Sequence, residues 1–357
     1  MSSRAVIFGV SGLALTDAER DFFRDVRPWG FILFKRNTES PAQVAALTAA
    51  LRESVGWHAP ILIDQEGGRV QRMGPPNWPK YAAARAFLAI NDPISQRELV
   101  RLSARLMAHD LQAVGIDVDC LPVLDVPVAG AHNVIGDRAY AHEPDLVARL
   151  GRAAAEGLLA GGVLPVVKHI PGHGRGMADS HHNLPVVDAP LAELEAHDFR
   201  PFCHLADMPM AMTAHVVFTV LDAKQPATVS RKVIRDVMRG HIGFDGLIMT
   251  DDLSMKALSG TLAERATASL RAGCDVVLHC SGILPDMAQV AAVTPLLRGQ
   301  AKVRAKAALA RIRHLPEPLD VSATRNLVEQ ALAQALSTEA GLAPDPTAYA
   351  NLAQART

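Results

Sequence analysis

The chain has 357 residues, of which 49% are hydrophobic and 20% are charged, and its formal net charge is −1. This length suits one large α/β barrel or two ordinary domains. The near-neutral charge argues against nucleic acid or an anionic membrane surface as a partner. No apolar run approaches the about 20 residues of a membrane span, and the first residues lack a secretory-signal pattern. Because the four cysteines are scattered, we expect free thiols and a cytoplasmic, monomeric protein.

Apolar runs and helical patterns alternate along the chain. Eight runs are typical of strands, at residues 5–10, 30–34, 61–64, 116–123, 164–168, 210–214, 246–250 and 274–278. Helical patterns follow at residues 16–26, 40–55, 93–114, 144–160, 190–205, 230–239 and 261–272, and they continue to about residue 336. The strand runs are continuously apolar, which indicates parallel strands with both faces buried.

Eight such strands, each followed by a helix, predict an α/β fold, a single closed (β/α)8 TIM-type barrel with extra C-terminal helices. The count favours the barrel over an open doubly wound sheet. We assign residues 1–318 to the catalytic barrel and residues 319–357 to a C-terminal helical extension. The end of that extension, rich in Pro and Ala, is expected to be a loosely ordered tail.

Titratable side chains are concentrated where the predicted strands end. In barrels of this kind the active site lies at the C-terminal ends of the strands. The beginnings of the strands carry almost nothing titratable, so the asymmetry predicts an enzyme. The residues at the strand ends are Asp64, Glu66, Asp125, Lys168, His169, His215, Asp251, Asp252 and His279.

Two adjacent carboxylates, Asp251 and Asp252, follow the seventh strand directly. A carboxylate at this position can be a nucleophile, a metal ligand or a general base. Asp252 could equally cap the helix that follows. Asp251 comes straight from the strand, and we therefore interpret it as functional.

The stretch from Lys168 to His182 contains four histidines and three glycines. Asp179 and His181 lie two positions apart within it, and a turn between them would let the carboxylate orient the imidazole. Such a pair donates and accepts protons near neutral pH. The glycines at positions 172, 174 and 176 either allow the loop to hinge when substrate binds or only satisfy tight turns.

The same histidines leave room for a metal site. His169, His173, His181 and His182 could be ligands of a barrel hydrolase, assisted by Asp251. Against this hypothesis, the chain has no H-x-H at the end of the first strand and no H-E-x-x-H. We therefore predict catalysis without a metal or an organic cofactor.

Four motifs in this order resemble glycoside hydrolase family 3, specifically the short bacterial β-N-acetylglucosaminidases that act in the cytoplasm on cell-wall muropeptides. They are I-D-Q-E-G-G-R-V-Q-R at residues 63–72, K-H-I-P-G-H-G at 168–174, D-S-H at 179–181 and T-D-D-L-S-M at 250–255. Together they span nearly the whole predicted barrel. The chain is too short for the second α/β domain that many members carry, which agrees with the single-domain form.

The resemblance implies a role for each matching residue. Asp251 is implied as the nucleophile that forms a covalent glycosyl-enzyme, and His181 with Asp179 as the acid/base, in place of the usual second carboxylate. The positions implied to bind the N-acetylglucosamine ring are Asp64, Arg72, Arg138, Lys168 and His169.

The expected protein is therefore a retaining exo-glycosidase that removes terminal β-linked N-acetylglucosamine from a small saccharide. Two rivals remain open at this point. A phosphorylase would use phosphate in the second step at the same site, and a metal-dependent barrel hydrolase would use a different mechanism. A non-catalytic muropeptide-binding protein is a third possibility, opposed by the full set of nucleophile, acid and base candidates.

Overall fold

Eight parallel strands close into a barrel in the computed structural model, which describes residues 3–176 and 184–339. Around the barrel the strands lie in sequence order, and β1 pairs with both β2 and β8. The predicted (β/α)8 fold is thereby confirmed. The strands are β1 (Arg4–Gly9), β2 (Pro28–Leu33), β3 (Ile61–Ile63), β4 (Val118–Asp119), β5 (Leu164–Ile170), β6 (Met210–Thr213), β7 (Leu247–Asp252) and β8 (Val276–His279).

The core has two layers, because alternate side chains of each strand point to opposite faces of the sheet. Ile7 and Ile32 belong to the cluster inside the barrel, whereas their neighbours Phe8 and Phe31 pack outward against the helices. All four side chains are at most 1% exposed. Burial on both faces explains why the strands appear as continuous apolar runs in the sequence.

The helices surround this barrel, and local sequence sets several of their ends. Thr16 and Glu19 form a capping box at the start of α1, and Thr261 and Glu264 form another at the start of α7. The helices are α1 (Asp17–Val26), α2 (Pro41–Val55), α3 (Pro93–Gln112), α4 (Pro144–Ala160), α5 (Leu191–Ala196), α6 (Arg200–His204), α7 (Leu262–Ala272), α8 (Leu284–Val293), α9 (Gly299–Ala310) and α10 (Val321–Glu339).

Three predicted elements differ from the structure. The helix expected over 190–205 is divided into α5 and α6, and Pro201, which has no N–H to donate, lies in the first turn of α6. The helix expected over 230–239 is a π-helical segment, Val233–His241, in which the Ile242 N–H reaches back five residues to the Val237 carbonyl. The strand expected over 116–123 pairs regularly only at β4, because Pro122 cannot donate to the ladder.

The two last helices extend the barrel in different ways. Helix α9 crosses the end where the strands begin, and its Ala305 and Ala308 are buried in the interior cluster. Helix α10 packs against α3 and the short 3-10 helix Ala84–Ala89. The division at residue 318 thus separates α9 from α10, and residues 340–357 lie outside the described part of the chain.

Two short strand pairs border the end where the barrel strands finish. Gln65–Gly67 pairs antiparallel with Val70–Gln71, and Val186–Val187 pairs in parallel with Val217–Phe218. The first pair falls between the predicted strand at 61–64 and the predicted helix at 93–114, where neither strand nor helix was predicted. None of the described helices combines the length and the apolar character that a membrane span requires. All four cysteines are free thiols, as expected, and Cys203 is the one that is not fully buried.

Candidate active site

A cavity of about 130 Å³ opens at the C-terminal ends of the strands. Its wall contains six of the eight predicted site residues and two further titratable residues, Glu66 and His173. Glu66 was noted only at a strand end, and His173 only as a possible metal ligand. The remaining two predicted residues, Asp179 and His181, lie outside the described residues, as does His182. The six that line the cavity are Asp64, Arg72, Arg138, Lys168, His169 and Asp251.

Asp64, at the end of β3, holds two cations. Its Oδ1 accepts from Lys168 Nζ at 2.9 Å, and its Oδ2 accepts from Arg72 Nη2 at 2.9 Å. Burial alone would raise the pKa of Asp64, but the charges of Lys168 and Arg72 outweigh it and leave that pKa well below its usual range. The carboxylate is therefore ionised and fixed, ready to accept hydrogen bonds from hydroxyl groups.

Glu66 forms a second buried pair on the opposite side of Lys168. It accepts from Arg138 Nε at 2.8 Å and Nη2 at 2.9 Å, which is a bidentate pair, and it lies 2.6 Å from Lys168 Nζ. Burial alone would raise the pKa of Glu66, but Arg138 and Lys168 lower it to about 2. Glu66 was not predicted as a site residue. Its place in the same motif as Asp64 and Arg72, two residues after Asp64, is the signal that could have identified it.

Lys168 joins these two groups. Its side chain is 2% exposed, and its ammonium lies between the carboxylates of Asp64 and Glu66. Burial alone would lower the pKa of Lys168, but the two carboxylates raise it well above its usual range. The lysine therefore stays charged and acts as a fixed donor, not as a base.

The imidazole ring of His169 is oriented by a hydrogen bond with Asp125. The His169 Nδ1 lies 2.6 Å from Asp125 Oδ2, and the other Asp125 oxygen accepts from the His173 backbone N–H at 2.7 Å. Burial alone would raise the pKa of Asp125, but its electrostatic interaction and hydrogen bond with His169 lower that pKa. Because an ionised carboxylate only accepts, Nδ1 of His169 carries its proton and Nε2 is the nitrogen available to a ligand. Asp125 was noted at a strand end but not assigned to the site.

The structure distinguishes the two adjacent carboxylates of β7. Asp251 lines the cavity and accepts from the Asp252 N–H at 2.8 Å. Asp252 instead accepts from the N–H groups of Ser254 and Cys280, at 3.0 and 3.2 Å, so it holds the turn after the strand. It does not cap the next helix, which has Thr261 at its N-cap.

His215, which follows β6, forms a hydrogen bond with the backbone at the end of β7. Its Nε2 lies 3.0 Å from the Asp252 carbonyl and its Nδ1 lies 2.7 Å from Thr228 Oγ1. Burial lowers the pKa of His215, so the ring is neutral at pH 7. Because the carbonyl can only accept, Nε2 carries the proton and Nδ1 accepts from the threonine. Burial likewise lowers the pKa of His173, to about 4.

The cavity is suited to a polyhydroxylated ligand. Fixed carboxylates accept from hydroxyl groups, and Lys and Arg donate to them, while Ile32, Met212 and Leu278 supply apolar contacts. Within the described residues, no group of three or more His, Cys, Asp or Glu side chains is arranged to hold a metal ion.

Comparison with known proteins identifies the family of the chain. The chain matches the Glycosyl hydrolase family 3 N terminal domain over residues 10–315. It is 39% identical over 289 residues to the beta-hexosaminidase of Bordetella avium (strain 197N), which covers 79% of this chain and 81% of that protein.

Solved structures show the same similarity. NagZ from Neisseria gonorrhoeae, in complex with N-trifluoroacetyl-D-glucosamine, has a TM-score of 0.83 and 31% identity over 93% of this chain and 99% of its own. A family 3 beta-N-acetylglucosaminidase from Paenibacillus sp. str. FPU-7 has a TM-score of 0.79 and 31% identity, over 92% of this chain and 66% of its own.

A TIM-type barrel with charged side chains at the C-terminal ends of its strands and this similarity to glycosidases belongs to the class of barrel glycoside hydrolases. Within that class, the chain belongs to glycoside hydrolase family 3. The predicted family and the predicted enzyme class are both confirmed.

Proposed function

We propose that the protein is a retaining exo-β-N-acetylglucosaminidase that uses Asp251 as its nucleophile. The observation that carries this proposal is the position of Asp251, at the end of β7, in one cavity with Asp64, Arg72, Arg138 and Lys168. A carboxylate so placed can attack the anomeric carbon of a sugar whose hydroxyls the other four side chains hold.

The sugar would be bound by groups that need no rearrangement. The ion pairs of Asp64 and Glu66 with their cations fix both donors and acceptors before the ligand arrives, which lowers the cost of orienting the ligand. The cavity of about 130 Å³ favours a single terminal sugar over the interior of a chain. The printed names of the relatives, beta-hexosaminidase and beta-N-acetylglucosaminidase, support N-acetylglucosamine as that sugar.

The acid/base would be His181, assisted by Asp179. This assignment rests on the D-S-H motif at residues 179–181. The motif lies between the two described stretches; the first of them stops at Gly176, whose carbonyl oxygen accepts from the His132 N–H at 3.0 Å. The proposed physiological substrate is N-acetylglucosaminyl-1,6-anhydro-N-acetylmuramic acid, with or without peptide, encountered in the cytoplasm during peptidoglycan recycling.

Replacement of the nucleophile tests the proposal most directly. Asp251→Asn should lower kcat/KM for p-nitrophenyl β-N-acetylglucosaminide by at least about 10³-fold, because an amide cannot form the glycosyl-enzyme. The matched control is Asp236→Asn, at an exposed position, which should keep normal activity. Near-normal turnover by Asp251→Asn would exclude this residue as the nucleophile. If the wild type prefers the β-glucoside, N-acetylglucosamine is excluded as the preferred sugar.

Azide added to Asp251→Ala gives a second test of the nucleophile assignment. Asp251→Ala leaves space where the carboxylate was, and azide can attack the anomeric carbon from that side. The expected product is the α-glycosyl azide, detected by NMR. Recovery of activity with a β-glycosyl azide would contradict the retaining assignment.

Comparing substrates with good and poor leaving groups tests the assignment of His181 as the acid/base. His181→Ala should slow alkyl or disaccharide substrates much more than p-nitrophenyl substrates, because a good leaving group departs without protonation. Equal slowing of both would count against His181. Repeating the wild-type assay in phosphate buffer and analysing the products for a sugar 1-phosphate distinguishes a hydrolase from a phosphorylase.

A further inference from the structure

A second cavity lies at the opposite end of the barrel from the candidate active site. It has a volume of about 480 Å³ and is enclosed between α9, the start of β2 and the end of α2. This volume is in the range of small-molecule sites, whereas the candidate active site measures about 130 Å³. No step of the proposed glycosidase reaction uses any residue that lines this second cavity.

The rim of the cavity is strongly basic. Arg27, Lys302, Lys306 and Arg313 line it, and none of the described residues lining it is an acid. Lys302 and Lys306 are one turn apart on α9, so they project from the same face of the helix. Arg27 is the C-cap of α1, and Arg313 follows the end of α9.

These four cations differ from those of the active site. Lys168, Arg72 and Arg138 each have a carboxylate within 3 Å. By contrast, no ion pair involving the four rim side chains occurs in the described part of the chain, and all four are exposed. In a protein of net charge −1, four unpaired cations around one concavity create a local positive potential that attracts a multivalent anion.

The floor of the cavity is apolar and partly aromatic. Trp29 and Leu297 are 2% and 7% exposed, and Trp57 and Leu309 are half-buried beside them. An indole surface favours a planar aromatic group, which can stack on it. The basic rim therefore favours an anionic group of a ligand, and the apolar floor favours a planar aromatic group of the same ligand.

We propose that this cavity binds a nucleoside polyphosphate, with the phosphates on the basic rim and the base against Trp57. Four cations match the charge of a di- or triphosphate better than that of a single carboxylate. Arginine pairs with phosphate through two parallel hydrogen bonds, and lysine adds a compact charge. The site is independent of the glycosidase proposal, because it shares no residue with the active-site cavity.

Calorimetric titration with Mg²⁺-free ATP tests the proposal on the full chain. ATP should bind saturably, and the double variant Lys302→Gln/Lys306→Gln should weaken binding by about tenfold or more. The matched control, Lys224→Gln/Lys232→Gln, removes the same charge at exposed positions elsewhere and should leave the affinity unchanged. Equal affinities of the two double variants, or no saturable binding by the wild type at millimolar ATP, would overturn the site.

Two further comparisons separate the parts of the ligand. Trp57→Leu should weaken ATP but not tripolyphosphate, and AMP should bind less tightly than ATP. Tripolyphosphate binding as tightly as ATP, with no effect of Trp57→Leu, would overturn the aromatic part of the proposal.

A last comparison tests whether ATP binds outside the active-site cavity. Asp251→Asn should bind ATP as the wild type does, and N-acetylglucosamine should not compete with ATP. Competition would place ATP in the active-site cavity and contradict the proposal.

Discussion

Glu66 shows how single residues stabilise this site. Its side chain is 3% exposed and is held by Arg138 and Lys168. The buried Lys168 and the half-buried Arg138 depend on it for their charge balance, so its loss would leave them undercompensated in a medium of low dielectric constant. The lowered pKa of Glu66, about 2, also makes its contribution to stability depend on pH.

Glu66→Gln should destabilise the protein by about 3–5 kcal/mol at pH 7, because it breaks a buried charge pair. The unfolded chain has an ordinary Glu pKa near 4.3, and the folded chain has a lower one. The wild type's advantage is therefore fully present above the unfolded pKa and is lost as pH falls toward the folded pKa of about 2. Urea unfolding of both proteins between pH 7 and pH 3 measures the gap, which should narrow with falling pH.

The control for this experiment is Glu39→Gln, which removes a carboxylate from an exposed position. Its stability should stay within about 0.5 kcal/mol of the wild type at every pH. A constant gap between wild type and Glu66→Gln across the pH range would refute the assigned pKa direction.

At the scale of elements, the loop after β5 is fixed by close backbone contact. A Cβ on Gly174 would lie 2.0 Å from the Val126 carbonyl oxygen, which is too close for any side chain. Gly172 has a φ of 143°, in the region that favours glycine. The glycines were predicted either to satisfy tight turns or to form a hinge. Turn and packing requirements account for Gly172 and Gly174, and the hinge hypothesis stays a prediction.

Gly174→Ala should separate this loop from the segment after β4 and displace His173, whose N–H is held by Asp125. We expect a loss of about 1–3 kcal/mol of stability, as for other overpacked sites, together with a clear fall in kcat/KM. The matched control is Gly12→Ala, where an added Cβ meets no atom within 4 Å and φ is not in the left-handed region. If both variants behave alike in thermal unfolding and in the aryl glycoside assay, the contact does not constrain the loop.

At the scale of the whole molecule, α10 attaches to the barrel through a small apolar face and one polar network. Val328 and Leu332 are 6% and 7% exposed. Arg325 lies 3.3 Å from Asp110, and Tyr81 donates to Asp110 at 2.7 Å. These contacts hold α10 against α3, away from the active-site cavity, so we expect α10 to contribute to stability and not to catalysis.

Leu332→Ala should lower the free energy of unfolding by about 2–3 kcal/mol, at the lower end for a buried leucine, because α10 lies at the surface. Leu327→Ala removes the same atoms from a side chain that is 53% exposed and should cost less than about 0.5 kcal/mol. Urea unfolding measures both, and kcat/KM at 25 °C should remain near the wild-type value in each. Equal stabilities of the two variants would contradict the packing role assigned to α10.

The sequence by itself determined the elements and the chemistry at their ends. Eight apolar runs set the barrel, because strands buried on both faces need continuous apolar residues. The capping residues Thr16 and Thr261 set helix starts through local hydrogen bonds. Asp64, Lys168 and Asp251 were recognisable because each lies at the C-terminal end of a strand or just after it, and in a barrel all such ends meet at one rim.

Only the tertiary structure decided which of these side chains pair. Lys168 and Asp64 are 104 positions apart, and Arg138 and Glu66 are 72 apart, so no local pattern links them. Their contacts depend on the register with which the strands close the barrel and on the hairpin at 65–71. Among the described residues, the same closure left no carboxylate in the lining of the basic cavity beside α9, because the charge balance is set by which surfaces meet and not by the order of residues.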